Sequence, residues 1–193
     1  PRFEYSVAAA PFLRILRYAG VDFGHAEWRR RMLINLEHMH TPAEAHPTSP
    51  VYVQAHILAP HAPFVFSADG GLAEPAGVFS LLPAAELEES PQRLARLYVD
   101  QIRGLNRHVL EMVDRILALD KAPPVIAIVS DHGTSYLNKD EVYRSLILLH
   151  VPGIDDDTTA SDLNLVQVFP LIFNHVFGTD IPMPESPDQP FSV

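Results

Sequence analysis

The 193-residue chain has no cysteine, which excludes disulfides, a thiolate metal site and a cysteine nucleophile but leaves the redox compartment open between cytosol and periplasm. It has no run of eighteen apolar residues, the length a membrane-spanning helix requires. Basic side chains are scarce: 14 Lys and Arg stand against 24 Asp and Glu, a net charge of −10. That sign is wrong for non-specific attraction to a phosphate backbone or an anionic membrane surface, so no nucleic acid partner is expected. The imbalance is uneven, with residues 1–50 carrying six basic and five acidic side chains and the remainder holding the whole acidic excess. Gly70-Gly71 and Gly104 form no phosphate-cradling loop, and no Walker or dinucleotide pattern is present, so nucleotide binding has little support. Repeats and low-complexity segments are absent.

What is present is ordinary globular material, 47% hydrophobic and 20% charged. A chain of this length folding as one domain buries roughly 70% of its unfolded surface, enough for a sizeable core. Its 18 prolines cluster at Pro42, Pro47 and Pro50, at Pro60 and Pro63, and from Pro182 to Pro190. These clusters divide the chain into an N-terminal helical segment (1–50), an α/β portion (51–180) and a Pro-rich tail (181–193). Pro1 is not a natural translation start, so the chain is expected to be a piece of something longer, with any signal peptide or membrane span outside it.

Apolar spacing predicts helix over most of residues 1–40, with a surface helix at Glu27–His40 presenting Trp28, Met32, Leu33 and Leu36. Val51–Leu58 is rich in β-branched residues and reads as a buried strand running into a loop that holds His61. Ser90-Pro91 is a helix start. Leu94, Leu97, Tyr98, Ile102, Leu105, Val109, Met112, Val113 and Ile116 then mark one face of a helix of about thirty residues, roughly 45 Å long. Val125–Val129 is wholly apolar, as in a strand covered on both faces, and Leu146–Val151 predicts a further strand. Asp162 is placed to cap a last helix through about Val176, which Pro170 must bend or interrupt. This order of elements predicts an α/β fold, a mostly parallel sheet flanked by helices.

The chemistry is expected where the apolar strand turns polar, at Ser130-Asp131-His132-Gly133, because ligands gather beyond the carboxyl ends of strands in open α/β sheets. Asp supplies a hard oxygen and His an imidazole nitrogen, a pair suited to Zn²⁺ or Mn²⁺, while Gly133 permits close backbone approach or positive φ. The tripeptide by itself fits equally a turn capped by Asp131 with His132 as a polar loop residue. Asp155-Asp156-Asp157 lacks the spacing of a calcium loop and reads as a solvated turn. Ser130, Asp131 and His132, being adjacent, cannot line up as a hydrolase triad.

Val-Ile-Ala-Ile-Val-Ser-Asp-His-Gly at 125–133 resembles the strand and metal-binding loop of the sulfatase-like branch of the alkaline phosphatase superfamily, which includes lipoteichoic acid synthases and phosphoethanolamine transferases. His56-Ile-Leu-Ala-Pro-His-Ala-Pro-Phe64 is similar to that family's substrate-side His-x-Pro-Phe segment. Tyr98–Asp114, with Leu105-Asn106, resembles its long helix, and Arg144–Pro152 the strand after the metal loop. The four segments stand in the family's order over residues 50–178.

The resemblance implies an alkaline phosphatase-like fold, here truncated, and a metal-dependent hydrolase or phospho-group transferase acting on phosphate or sulfate esters of small molecules, lipids or polymers. Asp131 and His132 would be ligands of a divalent ion, Mn or Zn with Ca or Mg also admissible. His61 would meet the anionic group, Arg144 and Lys139 would reach it, and His56 would make a supporting hydrogen bond. For each of these four the residue pattern leaves an ordinary structural role open. His150, in an apolar run, is read as a buried or strand-end residue, which favours the one-metal transferases over the two-zinc phosphatases. The family's acidic strand end and its Thr, Ser or formylglycine-forming Cys nucleophile do not appear in residues 1–50. The chain is therefore expected to be the C-terminal part of a catalytic domain, inactive alone, whose parent works on the extracytoplasmic face of a membrane and is anchored only through segments outside this chain. The competing reading is a noncatalytic, degenerate module that binds an anionic ligand or polymer. Sheet edges left bare by truncation make a homodimer an expectation as well.

Overall fold

The structure, a computed structural model, describes residues 24–73, 90–119, 122–137, 142–154 and 163–185. The chain divides into two units, Pro1–Asp120 and Lys121–Val193.

In the first unit α1 spans His25–Glu37, α2 Thr41–Ala45 and α3 Pro91–Leu117. The helix expected at Glu27–His40 thus begins two residues earlier and stops three sooner. Pro42 has no N–H to continue the ladder to the His38 carbonyl, which accepts instead from the Thr41 N–H at 3.1 Å as the chain turns into α2. Residues 1–23, the first part of the expected helical stretch, lie outside the described residues. The start of α3 is as the sequence predicts: Ser90 accepts from the N–H of Arg93 at 3.3 Å and Pro91 takes the first helical position. Its 27 residues make it about 40 Å long.

Met32 and Leu36 of α1 meet Leu105 and Met112 of α3, and Val65 and Phe66 complete the buried cluster, with Trp28, Val109 and Ile116 packed against it. Val65 and Phe66 belong to a tight hairpin pinned by the Phe66–Leu72 bridge and by the Ala73 N–H to Val65 carbonyl bond at 3.0 Å. Its turn rests on α3 at Gly104. A β-carbon there would lie 2.2 Å from the Ser67 carbonyl oxygen and 3.3 Å from the Gly70 α-carbon, so only glycine lets the loop reach the helix. Gly70 itself has φ +88°, and its carbonyl accepts from Arg29 and lies 3.1 Å from His108 Nε2.

The strand expected over Val51–Leu58 is not one. The segment has no ladder partner among the described residues, and Tyr52 is 74% exposed. β-Branched composition marks a segment suited to a pleated, half-buried surface, but a neighbouring strand has to supply that surface.

The second unit holds β1 (Ile126–Val129), β2 (Ile147–His150) and α4 (Leu165–Phe177). It combines helix and strand as expected, but the sheet is not parallel. β1 and β2 pair antiparallel, with Ile126 opposite His150 and Val129 opposite Ile147. A parallel pair needs a crossover, usually a helix, whereas here the described residues 130–133 that follow β1 bond to residues 142–146 that precede β2. Both strands alternate in burial, and Ile147 and Leu149 pack with Val151, Val168 and Ile172 of the unit's core. In β1 the exposed residues are Ala127 and Val129, the latter at 48%, and in β2 they are Leu148, at 53%, and His150; the register sets Val129 beside Ile147 on one face and Leu148 beside Ile128 on the other. Among the described residues β1 is therefore covered on one face rather than on two.

Helix α4 is capped by Asn164, not Asp162, which lies outside the described residues. The Asn164 side chain accepts from the Val166 N–H, and the Gln167 side chain accepts from the Asn164 N–H, a reciprocal capping box. The helix runs on through Pro170. Residues 178–185 fold back along it: Asn174 bonds both the N–H and the carbonyl of Ile181 at 2.8 Å, and Gln167 donates to the Pro184 carbonyl at 2.8 Å. The start of the Pro-rich tail is thus tied down by side-chain amides, and residues 186–193 lie outside the described residues.

Candidate functional site

β1 delivers the chain to Ser130 at its carboxyl end, and from there the backbone is stitched to the segment that leads into β2. The Ser130 N–H donates to the Leu146 carbonyl at 3.0 Å, and the Leu146 N–H donates to Ser130 Oγ at 2.7 Å. Ser145 Oγ donates to the Asp131 carbonyl at 3.1 Å, and the Gly133 N–H to the Val142 carbonyl at 3.0 Å. Four bonds therefore fix the loop that carries Asp131 and His132. The glycines with positive φ among the described residues are Gly24, Gly70, Gly153 and Gly178, so Gly133 acts here through its N–H and not through left-handed backbone.

Within this loop the two candidate ligands lie close together. Asp131 Oδ1 accepts from the His132 N–H at 3.0 Å, which leaves Oδ2 turned toward the imidazole, 3.7 Å from His132 Nε2. His132 Nδ1 sits 2.7 Å from the Gly133 carbonyl oxygen. A carbonyl only accepts, so Nδ1 carries the hydrogen and the neutral ring presents an unprotonated Nε2. This backbone-tethered imidazole is the form in which histidine serves as a metal ligand. Two donors sharing a tetrahedral Zn²⁺ at 2.0–2.2 Å would lie about 3.3 Å apart, so the observed separation fits after a side-chain adjustment of about 0.4 Å. Both groups are open to solvent, Asp131 at 86% and His132 at 60%. Among the described residues no group of three or more His, Cys, Asp or Glu side chains is gathered for a metal, and Asp131 and His132 are a pair.

Arg144 lies in the same unit, exposed, on the segment bonded to the Asp131-His132 loop. Lys139 lies outside the described residues. His150 ends β2 opposite Ile126 and is exposed, a strand-end residue as the sequence suggests.

His56 and His61 belong to the first unit. His61 is exposed on the turn at 58–63, where its N–H donates to the Leu58 carbonyl at 2.9 Å and the Ala59–Pro60 and Ala62–Pro63 peptides are cis. Its Nδ1 lies 2.6 Å from the Ala62 carbonyl oxygen, so this ring too carries its hydrogen on Nδ1 and leaves Nε2 unprotonated when neutral. His56 stands apart from that turn's hydrogen bonds. With Gln54 and Val53 it lines an open groove of about 390 Å³ against Ile34, Asn35 and His38.

Gln101 is the residue the sequence reading passed over. It is 0% exposed, and its side-chain amide bonds the backbone on both sides of the His61 turn. The signal lay in the apolar stripe of α3. Gln101 stands seven residues after Leu94 and four before Leu105, a polar side chain on a core face, where it must find partners or cost stability.

Comparison of the chain with protein-family models, with curated proteins and with solved structures finds no match in any of the three. Among the described residues no helix is long and apolar enough to cross a membrane.

Proposed function

We propose that this chain carries part of the catalytic domain of a metal-dependent hydrolase or transferase of sulfatase-like type, acting on phosphate or sulfate esters, and that Asp131 and His132 are two of its metal ligands. The observation that carries this reading is the closeness of Asp131 Oδ2 and His132 Nε2, 3.7 Å apart, with each group's other polar atom already engaged by the loop. The order of the four resembling segments supports it. The finer fold, an alkaline phosphatase-like parallel sheet that is truncated here, belongs to the same proposal, as do an extracytoplasmic parent and a partner that is a small-molecule, lipid or polymer ester.

The donor set of one carboxylate oxygen and one imidazole nitrogen suits Zn²⁺ or Mn²⁺. When bound, such an ion lowers the pKa of a hydroxyl nucleophile and offsets charge on the ester oxygens. Asp131 contributes one anionic oxygen and holds the His132 backbone with the other. His132 contributes Nε2 in a fixed tautomer. Arg144 supplies a permanent positive charge on the segment tied to that loop, suited to a phosphoryl or sulfuryl oxygen. His61, by the resemblance, meets the anionic group, where a protonated ring donates to an oxygen or to a leaving group. The nucleophile and the remaining ligands come, in this reading, from the parent protein outside this chain.

The test is turnover of aryl phosphate and aryl sulfate esters by the full-length protein with added Mn²⁺ or Zn²⁺. The expected result is activity on one ester class that falls about a hundredfold or more in Asp131→Ala and in His132→Ala. Unchanged rates in both variants would reject the assignment.

A further inference from the structure

We infer that Gln101 is the positioning residue of the His61 turn, setting where the imidazole stands and which ring nitrogen it offers. The inference rests on the proposed role of His61 and names a residue that the resemblance does not supply. The turn from Leu58 to Phe64 belongs to no regular element, so its backbone polar groups need partners from outside. One side chain meets four of them. Gln101 Oε1 accepts from the N–H of Val65 at 2.6 Å and of Phe66 at 3.2 Å. Gln101 Nε2 donates to the carbonyls of Pro60 at 3.1 Å and His61 at 3.0 Å.

Those four bonds use the full capacity of a carboxamide, two lone pairs and two N–H groups. Both bonded segments flank His61, and α3 supplies the rigid base, since Gln101 lies one turn before the helix face that holds Gly104 and Leu105 in the core. The His61 carbonyl is fixed directly by Gln101. The neighbouring Ala62 carbonyl, which takes the Nδ1 hydrogen, lies between that fixed point and the fixed N–H of Val65. Nε2 is thereby left as the nitrogen without the hydrogen. Glutamate cannot reproduce the pattern, because an ionised carboxylate only accepts and would set negative oxygen against two carbonyl oxygens. Leucine has similar bulk and offers neither donor nor acceptor.

The test is the tautomer of His61, read from ring ¹⁵N shifts of the full chain labelled at histidine, at about pH 8 where ordinary imidazoles are neutral. His61→Gln assigns the signals. Wild type is expected to hold His61 with hydrogen on Nδ1. Gln101→Leu and Gln101→Glu are expected to move the two ring nitrogens toward a common averaged shift, with the His132 pattern and Trp28 emission unchanged. A folded variant with the wild-type His61 pattern would overturn the inference. Should neither variant fold, as Trp28 emission would report, wild type decides: side-chain amide protons of Gln101 that exchange as fast as those of exposed Gln92 would overturn it, and strong protection would support it. No metal or ester enters the experiment, so it fails or succeeds independently of the Asp131-His132 assignment.

Discussion

Replacing Gly104 by alanine reverses the usual sign of a helix substitution. In an exposed helix interior, alanine is favoured over glycine by about 1 kcal/mol, because glycine loses more backbone freedom on folding. At position 104 the added methyl would stand 2.2 Å from the Ser67 carbonyl oxygen, where such contacts essentially never fall below 3.0 Å. The hairpin turn has to recede by about 0.8 Å, and the opposing atoms are backbone, which cannot rotate away as a side chain tip would. Retreat also loosens the Gly70 carbonyl from Arg29 and His108, and shifts Phe66, a fully buried side chain. Overpacking of this kind costs about 1–3 kcal/mol, and each weakened hydrogen bond about 1 kcal/mol, against a propensity gain of about 1 kcal/mol. The net expectation is a loss of about 2–4 kcal/mol. The single tryptophan, Trp28, packs against this core, so urea unfolding followed by its emission reports the first unit. Asn106→Ala, at an exposed position on the same helix, serves as the control and should gain a few tenths of a kcal/mol. A Gly104→Ala protein that unfolds at higher urea than wild type would refute the close approach.

Asn164→Ala removes the acceptor side of the capping box on α4 and should destabilise the second unit by about 1 kcal/mol, measured by thermal unfolding, with Asn164→Ser retaining most of it. Glu27 accepts hydrogen bonds from both Arg30 and Arg31, and these hold its carboxyl down at about 2. Its folded value lies below its unfolded one, so its contribution to stability is present above the ordinary carboxylate range and is lost as pH falls toward 2. The pairs are exposed, and in about 1 M salt or in Arg30→Ala the midpoint seen by carboxyl NMR should rise toward the ordinary value. Asn174→Ala should release residues 178–185 from α4, read as faster amide exchange at Ile181 with the exchange of β1 unchanged.

Elements defined by their own residues were legible in the sequence. The stripe from Leu94 to Ile116 and the Ser90-Pro91 start gave α3 nearly to its ends, because capping and amphipathic periodicity are local. The apolar runs at 125–129 and 146–151 located β1 and β2 for the same reason. Direction and coverage of the strands were not legible, since they depend on which neighbour is present: β1 and β2 turned out antiparallel, and Val51–Leu58 has no ladder partner among the described residues. The cap at Asn164 was missed because Asp162 and Asn164 offer the same chemistry two residues apart, and only the Gln167 side chain decides between them.

The candidate site divides the same way. Sequence order put Asp131 and His132 at the end of an apolar strand, and the structure adds that Oδ2 and Nε2 lie 3.7 Å apart. Arg144 joins the same stitched loop because β2 returns antiparallel to β1, a pairing that the sequence reading did not contain. Gln101 was hidden by its residue type. A glutamine on a helix is most often solvated, and its role emerges only when four backbone groups from residues 60–66 close around it.

The pairing of Asp131 with His132 as cation ligands is tested most directly by adding Mn²⁺ in small steps to the ¹⁵N-labelled full chain and following which signals its unpaired electrons broaden. The account predicts that His132 ring signals and the Asp131 and His132 amides vanish first, and that Asp131→Ala removes the effect at the same Mn²⁺ concentration. Broadening spread evenly over the acidic surface, unchanged by Asp131→Ala, would contradict it.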